Sequence, residues 1–281
     1  MNTLYLILQG FALSLGLALG SFLNVCIARM PEDRSVSHPP SHCPKCGHQI
    51  RWYENIPVLS WAALGAKCSG CKTSISALYP IIELLVGVLT LLLFRHIVPG
   101  WESLLTGWGD VAVWLFYTLF VFMLVGITFI DLRHYIIPDE FSIYAAPFGV
   151  AGCALLGWAG YSGAPTWQQS IVGALVGGGS LWLVMFAYKV IRREDGMGLG
   201  DVKLLAMMGA FLGALPAIPF IVLISSVLGS VVGVAMIVAQ GRGFQAQVPF
   251  GPFLSVGAIL YLFFGDVIIA RWLPAFYLLP G

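Results

Sequence analysis

The chain has 281 residues, of which 59% are hydrophobic and only 10% charged, and its mean hydropathy is +0.90. A soluble globular protein carries about 25% charged residues, so this composition excludes a soluble domain and indicates an integral membrane protein. A net charge of +1 gives no support for nucleic-acid binding.

Apolar runs long enough to cross a bilayer need about 17–25 residues. In chain order the runs predict about eight transmembrane helices, over 4–27, 77–94, 111–130, 141–158, 169–191, 202–215, 217–240 and 253–273. The first begins without Lys or Arg in residues 1–10 and has no small-residue cleavage site, unlike a cleaved signal peptide. The sixth is short, and Pro216 and Pro219 either separate it from the seventh or kink one continuous helix. The fold class is therefore an all-α polytopic membrane protein. The expected organisation is a first transmembrane helix (1–27), a polar loop domain (28–76) and a membrane domain of about seven helices (77–281).

Between the first two helices, the loop carries Cys43-Pro44-Lys45-Cys46 and Cys68-Ser69-Gly70-Cys71, two Cys-x-x-Cys knuckles separated by 21 residues. Each knuckle points two sulfurs at one centre, and four thiolates complete a tetrahedral zinc shell. The expectation is a structural zinc on Cys43, Cys46, Cys68 and Cys71, with disulfides or redox dithiols as the competing reading. His38, His42 and His48 are expected to be loop histidines, because four sulfurs already fill the shell. Cys26 and Cys153 lie in apolar runs as core thiols.

Twelve of the fourteen Lys and Arg lie in the loops at 28–76, 131–140, 189–203 and 241–252. The positive-inside rule places those loops in the cytoplasm and both termini outside. It also brings two aspartates to one membrane face. Asp131 ends the third helix in Ile130-Asp131-Leu132-Arg133, and Asp201 opens the sixth after Gly196-Met197-Gly198-Leu199-Gly200. A carboxylate beside hydrocarbon is costly and marks a functional site. Two that share a proton suit acid/base hydrolysis. The glycines, Gly198 and Gly200 among them, permit positive φ and close backbone approach, as a loop admitting an extended peptide needs. The bland readings are that Asp201 caps a helix and that Asp131 pairs with Arg133 at the surface.

These segments carry a resemblance. The run Ile130–Asp139 and the run Gly198-Leu199-Gly200-Asp201-Val202-Lys203 resemble the two catalytic motifs of the type IV prepilin peptidases, which are polytopic GxGD aspartic proteases. Gly20-Ser21-Phe22-Leu23-Asn24-Val25 through Arg29-Met30-Pro31 resembles that family's first-helix signature, and the knuckles, the run Pro80–Gly87, and Pro249-Phe250-Gly251-Pro252-Phe253 also match the family. The set runs in order over nearly the whole chain.

The resemblance implies cleavage of the short basic leader from type IV prepilins and pseudopilins at the cytoplasmic face of a bacterial inner membrane. It also implies N-methylation of the new N-terminal residue with S-adenosylmethionine. By matching positions Asp131 and Asp201 form the catalytic pair, and Asp139 is the competitor for the first place. Asp139, Glu140, Glu194 and Asp195 lie beside the pair as candidate contacts for the basic leader, or simply balance Arg133, Arg192, Arg193 and Lys203. Glu83, in the run Pro80–Gly87, is the candidate residue toward S-adenosylmethionine; otherwise it is a helix-start carboxylate favoured by the macrodipole. Expected partners are prepilin and pseudopilin substrates and the lipid bilayer, with no nucleic acid and no oligomeric state assigned. The competing class is a proton-coupled transporter, whose sites lie near the midplane and often between internal repeats; no repeat is visible. A zinc-dependent assembly factor without chemistry is the third reading.

Overall fold

In a computed structural model, residues 3–105, 107–193, 198–240 and 248–272 are described. Among them every regular element is helical, and the only β pairing is two isolated bridges. The chain divides into two compact units, Met1–Gly126 and Ile127–Gly281.

The first unit holds α1 (Thr3–Arg29), a short α2 (Leu59–Ala63), α3 (Leu78–Ile97), a short α4 (Trp101–Leu105) and the first part of α5 (Gly109–His134). Helices α1 and α3 pack backbone to backbone. A Cβ at Gly20 would sit 2.7 Å from Glu83 Cα, and one at Gly16 2.8 Å from Gly87 Cα. Small residues permit this approach, which drives helix association where lipid replaces water. Trp114 on α5 is buried and donates its indole N–H to the Thr90 carbonyl at 3.1 Å.

The second unit continues with the end of α5, then α6 (Ala145–Trp158), α7 (Trp167–Arg192), α8 (Leu199–Leu212), α9 (Ala217–Gln240) and α10 (Gly251–Trp272). Helix α8 is the hub. Leu204, Leu205 and Met207 through Leu212 are all buried. Gly173 and Gly177 of α7 lie directly against the α8 backbone at Gly209 and Leu205, where any side chain would collide. The Cys153 thiol of α6 and the Ser170 hydroxyl of α7 both donate to the Ala210 carbonyl of α8.

All eight predicted helices are present. Among the described residues six spans are long and apolar enough to cross a membrane: Thr3–Glu32, Leu78–Ile97, Gly109–His134, Asp139–Trp158, Trp167–Arg192 and Ala217–Ala239. Helix α8 has 14 residues, about 21 Å at 1.5 Å per residue, against a hydrocarbon core of about 30 Å. Within the second unit it packs against α6, α7, α9 and α10. Helices α8 and α9 are separate, broken where Gly213 takes φ +80°.

Two boundary shifts bear on the site, and the first is that α5 runs on to His134, past Asp131. Helix α8 starts at Leu199, three residues earlier than the sequence indicated, with Gly198 as its N-cap. Asp201 is therefore a first-turn residue and not the cap.

Candidate active site and metal centre

The cysteine loop is built from two similar halves. In the first, Cys43 N–H donates to the His48 carbonyl at 2.9 Å, and Gly47 turns at φ +69°. In the second, Cys68 N–H donates to the Thr73 carbonyl at 2.8 Å, and Lys72 turns at φ +59°. The bridges His42–Gln49 and Lys67–Ser74 close the halves at matching positions.

This brings all four sulfurs within 4.8 Å of one another. Cys43–Cys71 and Cys46–Cys68 stand at 3.9 Å. A tetrahedral zinc with Zn–S near 2.3 Å requires S···S of about 3.8 Å. No pair is joined as a disulfide. Backbone N–H groups of Cys46 and Lys45 draw the Cys43 thiol down to about 6. Cys46 receives the His48 N–H, which lowers it, yet the sulfur of Cys71, burial, and the sulfurs of Cys43 and Cys68 together raise it to about 11. Thiolates crowding one centre oppose one another, and a divalent cation there removes that opposition. The donor set, spacing and backbone donors fit zinc.

The histidines are loop residues, as expected. His48 Nε2 lies 3.1 Å from Glu54 Oε2 and 2.9 Å from Ser69 Oγ, so it braces the knuckles against each other. His42 Nδ1 contacts the Pro40 carbonyl at 3.1 Å. Glu54 carried no expectation from sequence. Its carboxylate accepts the Arg51 N–H at 2.9 Å. That bond, with Ser69 and His48, holds its carboxyl down at about 2. The available signal was the Arg51-x-x-Glu54 spacing, a helix-start capping pattern.

Beside the knuckles lies a cavity of about 230 Å³. Ile50, Ile56, Trp61 and Tyr79 supply apolar and aromatic wall, and Glu54 and Glu83 supply carboxylates. Glu83 is 8% exposed. Its Oε2 accepts the Val58 N–H at 2.7 Å, tying the cysteine loop to α3. It is therefore more than a helix-start charge. Val58 takes φ +62°, which is unusual for a β-branched residue. Glu83→Ala should leave that N–H without its acceptor and cost about 1–3 kcal/mol, whereas Glu83→Gln keeps an acceptor oxygen. Thermal unfolding of the purified variants measures the difference, and equal melting points would remove the Val58 bond as a stabilising contact.

The second unit assembles the aspartate motifs. Asp131 is 5% exposed, near the end of α5. It does not pair with Arg133, which is exposed. Instead, Asp131 Oδ2 accepts the backbone N–H of Gly251, the first residue of α10, at 3.1 Å. Helix α5 ends one turn later, where Tyr135 adopts φ +57°. The chain then runs through Ile137 and Pro138 to a 3-10 turn at Asp139–Phe141.

Ile137 is the common neighbour. A Cβ on Gly200 would stand 3.3 Å from it, and a Cβ on Gly251 3.3 Å from its Cδ1. The starts of α8 and α10 thus converge on the segment that follows Asp131. Asp201, one residue after Gly200, is partly buried and lies within electrostatic range of Asp131. Gly198 is extended, at φ −78° and ψ 148°, and Gly200 is helical. Close approach to Ile137, and not left-handed backbone, is what glycine provides at position 200.

Asp139 is exposed and carries an ion pair with Lys203 Nζ at 2.9 Å, which ties the first motif to the second. Glu140 is exposed on the same turn. Glu194 and Asp195 lie outside the described residues. Gly251 had no assigned role in the sequence; only its place in the Pro249–Phe253 run pointed to it.

Comparison with known proteins follows the same division. Residues 14–97 match the Bacterial Peptidase A24 N-terminal domain, and residues 117–234 match the Type IV leader peptidase family. The cysteines and Glu83 fall in the first match, and both aspartates in the second. The chain is 35% identical over 280 residues to a prepilin leader peptidase/N-methyltransferase of Aeromonas hydrophila, covering 91% of this chain and 90% of that one. It is 33% identical to a protein of the same description from Pseudomonas aeruginosa, covering 92% and 91%. A Myxococcus xanthus relative is 42% identical over 233 residues, covering 83% of this chain and 64% of its own. No solved structure matches. Similarity of this extent, with both aspartate motifs inside the matched region, shows that the chain belongs to the type IV leader peptidase family, a family of aspartic proteases.

Proposed function

We propose that this membrane protein removes the leader from type IV prepilins and pseudopilins, using Asp131 and Asp201 as its catalytic pair. The observation that carries the reading is the buried Asp131 carboxylate, aimed by an α10 backbone amide, with Asp201 in range at the start of the buried helix α8. One carboxylate takes a proton from water as the water attacks the scissile carbonyl. The other carboxyl gives its proton to the carbonyl oxygen, and the leaving amine is protonated as the tetrahedral adduct collapses. Asp131 suits the base, since a bond from a backbone N–H favours an anion, and no described donor serves Asp201.

By the positive-inside rule the pair and the cysteine loop face the cytoplasm of a bacterial inner membrane, with both termini outside. Glu140, Glu194 and Asp195 then attract the basic leader over about a Debye length, ~8 Å, beside the Asp139–Lys203 pair, while Gly198 leaves backbone room ahead of Asp201. Purified protein mixed with a leader-bearing prepilin should give the shorter product on a gel. A prepilin left intact by active, membrane-inserted protein would overturn the reading.

Asp139→Asn should be mild. An exposed pair such as Asp139–Lys203 is worth about 0.2–1 kcal/mol, so cleavage should change at most about fivefold. If Asp139→Asn alone abolishes cleavage, Asp139 and not Asp131 is the first catalytic aspartate.

The second activity is N-methylation of the new N-terminal residue with S-adenosylmethionine, and the cavity beside the knuckles fits that cofactor. A sulfonium is a cation, and aromatic faces and carboxylates are what recognise one. Trp61, Tyr79, Glu54 and Glu83 would hold it, and when bound it supplies the methyl group. Glu83→Gln should weaken S-adenosylmethionine binding at least about tenfold by calorimetry while leader cleavage persists. Unchanged binding would remove Glu83 from the cofactor site.

A further inference from the structure

The first turn of α10 lies outside both aspartate motifs, yet it reaches Asp131. Gly251 has no spare room. A Cβ there would stand 2.6 Å from Asp131 Oδ2, so the backbone is held as close to the carboxylate as a peptide can come. Something must hold that turn, and the described contacts point to α9.

Ser225 on α9 is fully buried. Its hydroxyl donates to the Phe253 carbonyl of α10 at 3.0 Å, sharing its proton with the Ile221 carbonyl of its own helix. Two glycines let the helices close around it. A Cβ on Gly257 of α10 would stand 2.8 Å from Ser225 Oγ. A Cβ on Gly229, one turn further along α9, would stand 3.4 Å from the Phe253 ring and 3.7 Å from Phe250. Ser225 and Gly229 thus form a seat for residues 250–257. Without that seat the only polar tie from α9 to the first turn of α10 among the described residues is gone. Ser225 itself does not touch Asp131.

We infer that Ser225 is a positioning residue for the aspartic chemistry, acting through the first turn of α10 to hold the Gly251 N–H on Asp131. The inference rests on Asp131 being catalytic. Fixing Oδ2 by an N–H orients the carboxylate plane and leaves Oδ1 toward the reacting water. A displacement of 1 Å in such an arrangement can cost about 100-fold in rate.

The test is a kinetic cycle on leader cleavage with Ser225→Ala, Gly251→Ala and the double variant, all checked for membrane insertion and melting temperature. Ser225→Ala should lower kcat about tenfold with KM within about twofold, the pattern of an interaction needed for the chemical step. Gly251→Ala should lower kcat about 100-fold. The double variant should be no worse than Gly251→Ala, because both act through one contact. Losses that multiply, a rise in KM in place of the fall in kcat, or full activity of Ser225→Ala would each overturn the inference. If Gly251→Ala fails to insert, the kcat–KM split of Ser225→Ala decides alone. Asp131→Asn, run in parallel, separates the two levels. Normal cleavage by it sinks the aspartic reading, whereas its inactivity beside a fully active Ser225→Ala sinks only the role of Ser225.

Discussion

Asparagine at Asp131 or at Asp201 will lower leader cleavage by about 10²–10⁴-fold each, the usual contribution of a positioned general acid or base. The substitution is nearly isosteric. At position 131 the new amide oxygen can still accept the Gly251 N–H, which now holds Asp131 Oδ2 at 3.1 Å, so the end of α5 should keep its geometry. At position 201 the side chain lies in the first turn of α8 and is not its cap. Neither variant should therefore change insertion or melting temperature much, and lost cleavage can be read as lost chemistry. Near-normal cleavage by either variant would remove that aspartate from the pair. Methyl transfer gives an internal control. Asp201→Asn should still methylate a pre-cleaved pilin, because the cavity beside Glu83 is lined by residues 42–83 alone. Loss of both activities in well-folded protein would argue for one shared site.

The long helices were readable from composition, because a bilayer demands continuous apolar runs and charges collect between them. The start of α8 was not. Leu199 and Gly200 read as loop beside so many glycines, but close packing on Ile137 draws Gly200 into the helix. The cysteine cluster was legible because a metal centre needs its ligands at short, repeated spacings. The same local logic does not extend to Glu83. Its bond to Val58 joins positions 25 residues apart, and no periodicity announces such a contact. Gly251 and Asp131 are 120 residues apart, and only the folded chain brings an amide of one helix to the carboxylate of another. Asp139 could be read from the sequence either as a contact for the basic leader or as a balance for nearby cations, and its ion pair with Lys203 is a contact of the second kind, made across 64 residues.

Purified protein should contain one zinc per chain, and Cys→Ser at any of Cys43, Cys46, Cys68 or Cys71 should abolish it. The four sulfurs already stand near tetrahedral spacing, with pairs at 3.9 Å. Structural zinc in small sites supplies about 10–16 kcal/mol of apparent binding energy, much of it folding energy. Among the described residues the rest of the loop is short elements: two isolated bridges, turns, the five-residue α2, the brace of His48, Glu54 and Ser69, and the Val58–Glu83 bond to α3. Loss of one sulfur should therefore loosen the whole segment between α1 and α3. Limited proteolysis should cut it there at least about tenfold faster in the variants and in chelator-treated wild type. The cavity should suffer with it, since Cys43, Cys68 and Ser69 form part of its wall. The resulting loss of S-adenosylmethionine binding should be repaired by returning zinc to the wild type but not to the variants. Elemental analysis of reduced protein never exposed to chelator is the decisive measurement. A zinc content near zero would mean that the four thiols are held together for some purpose other than metal binding.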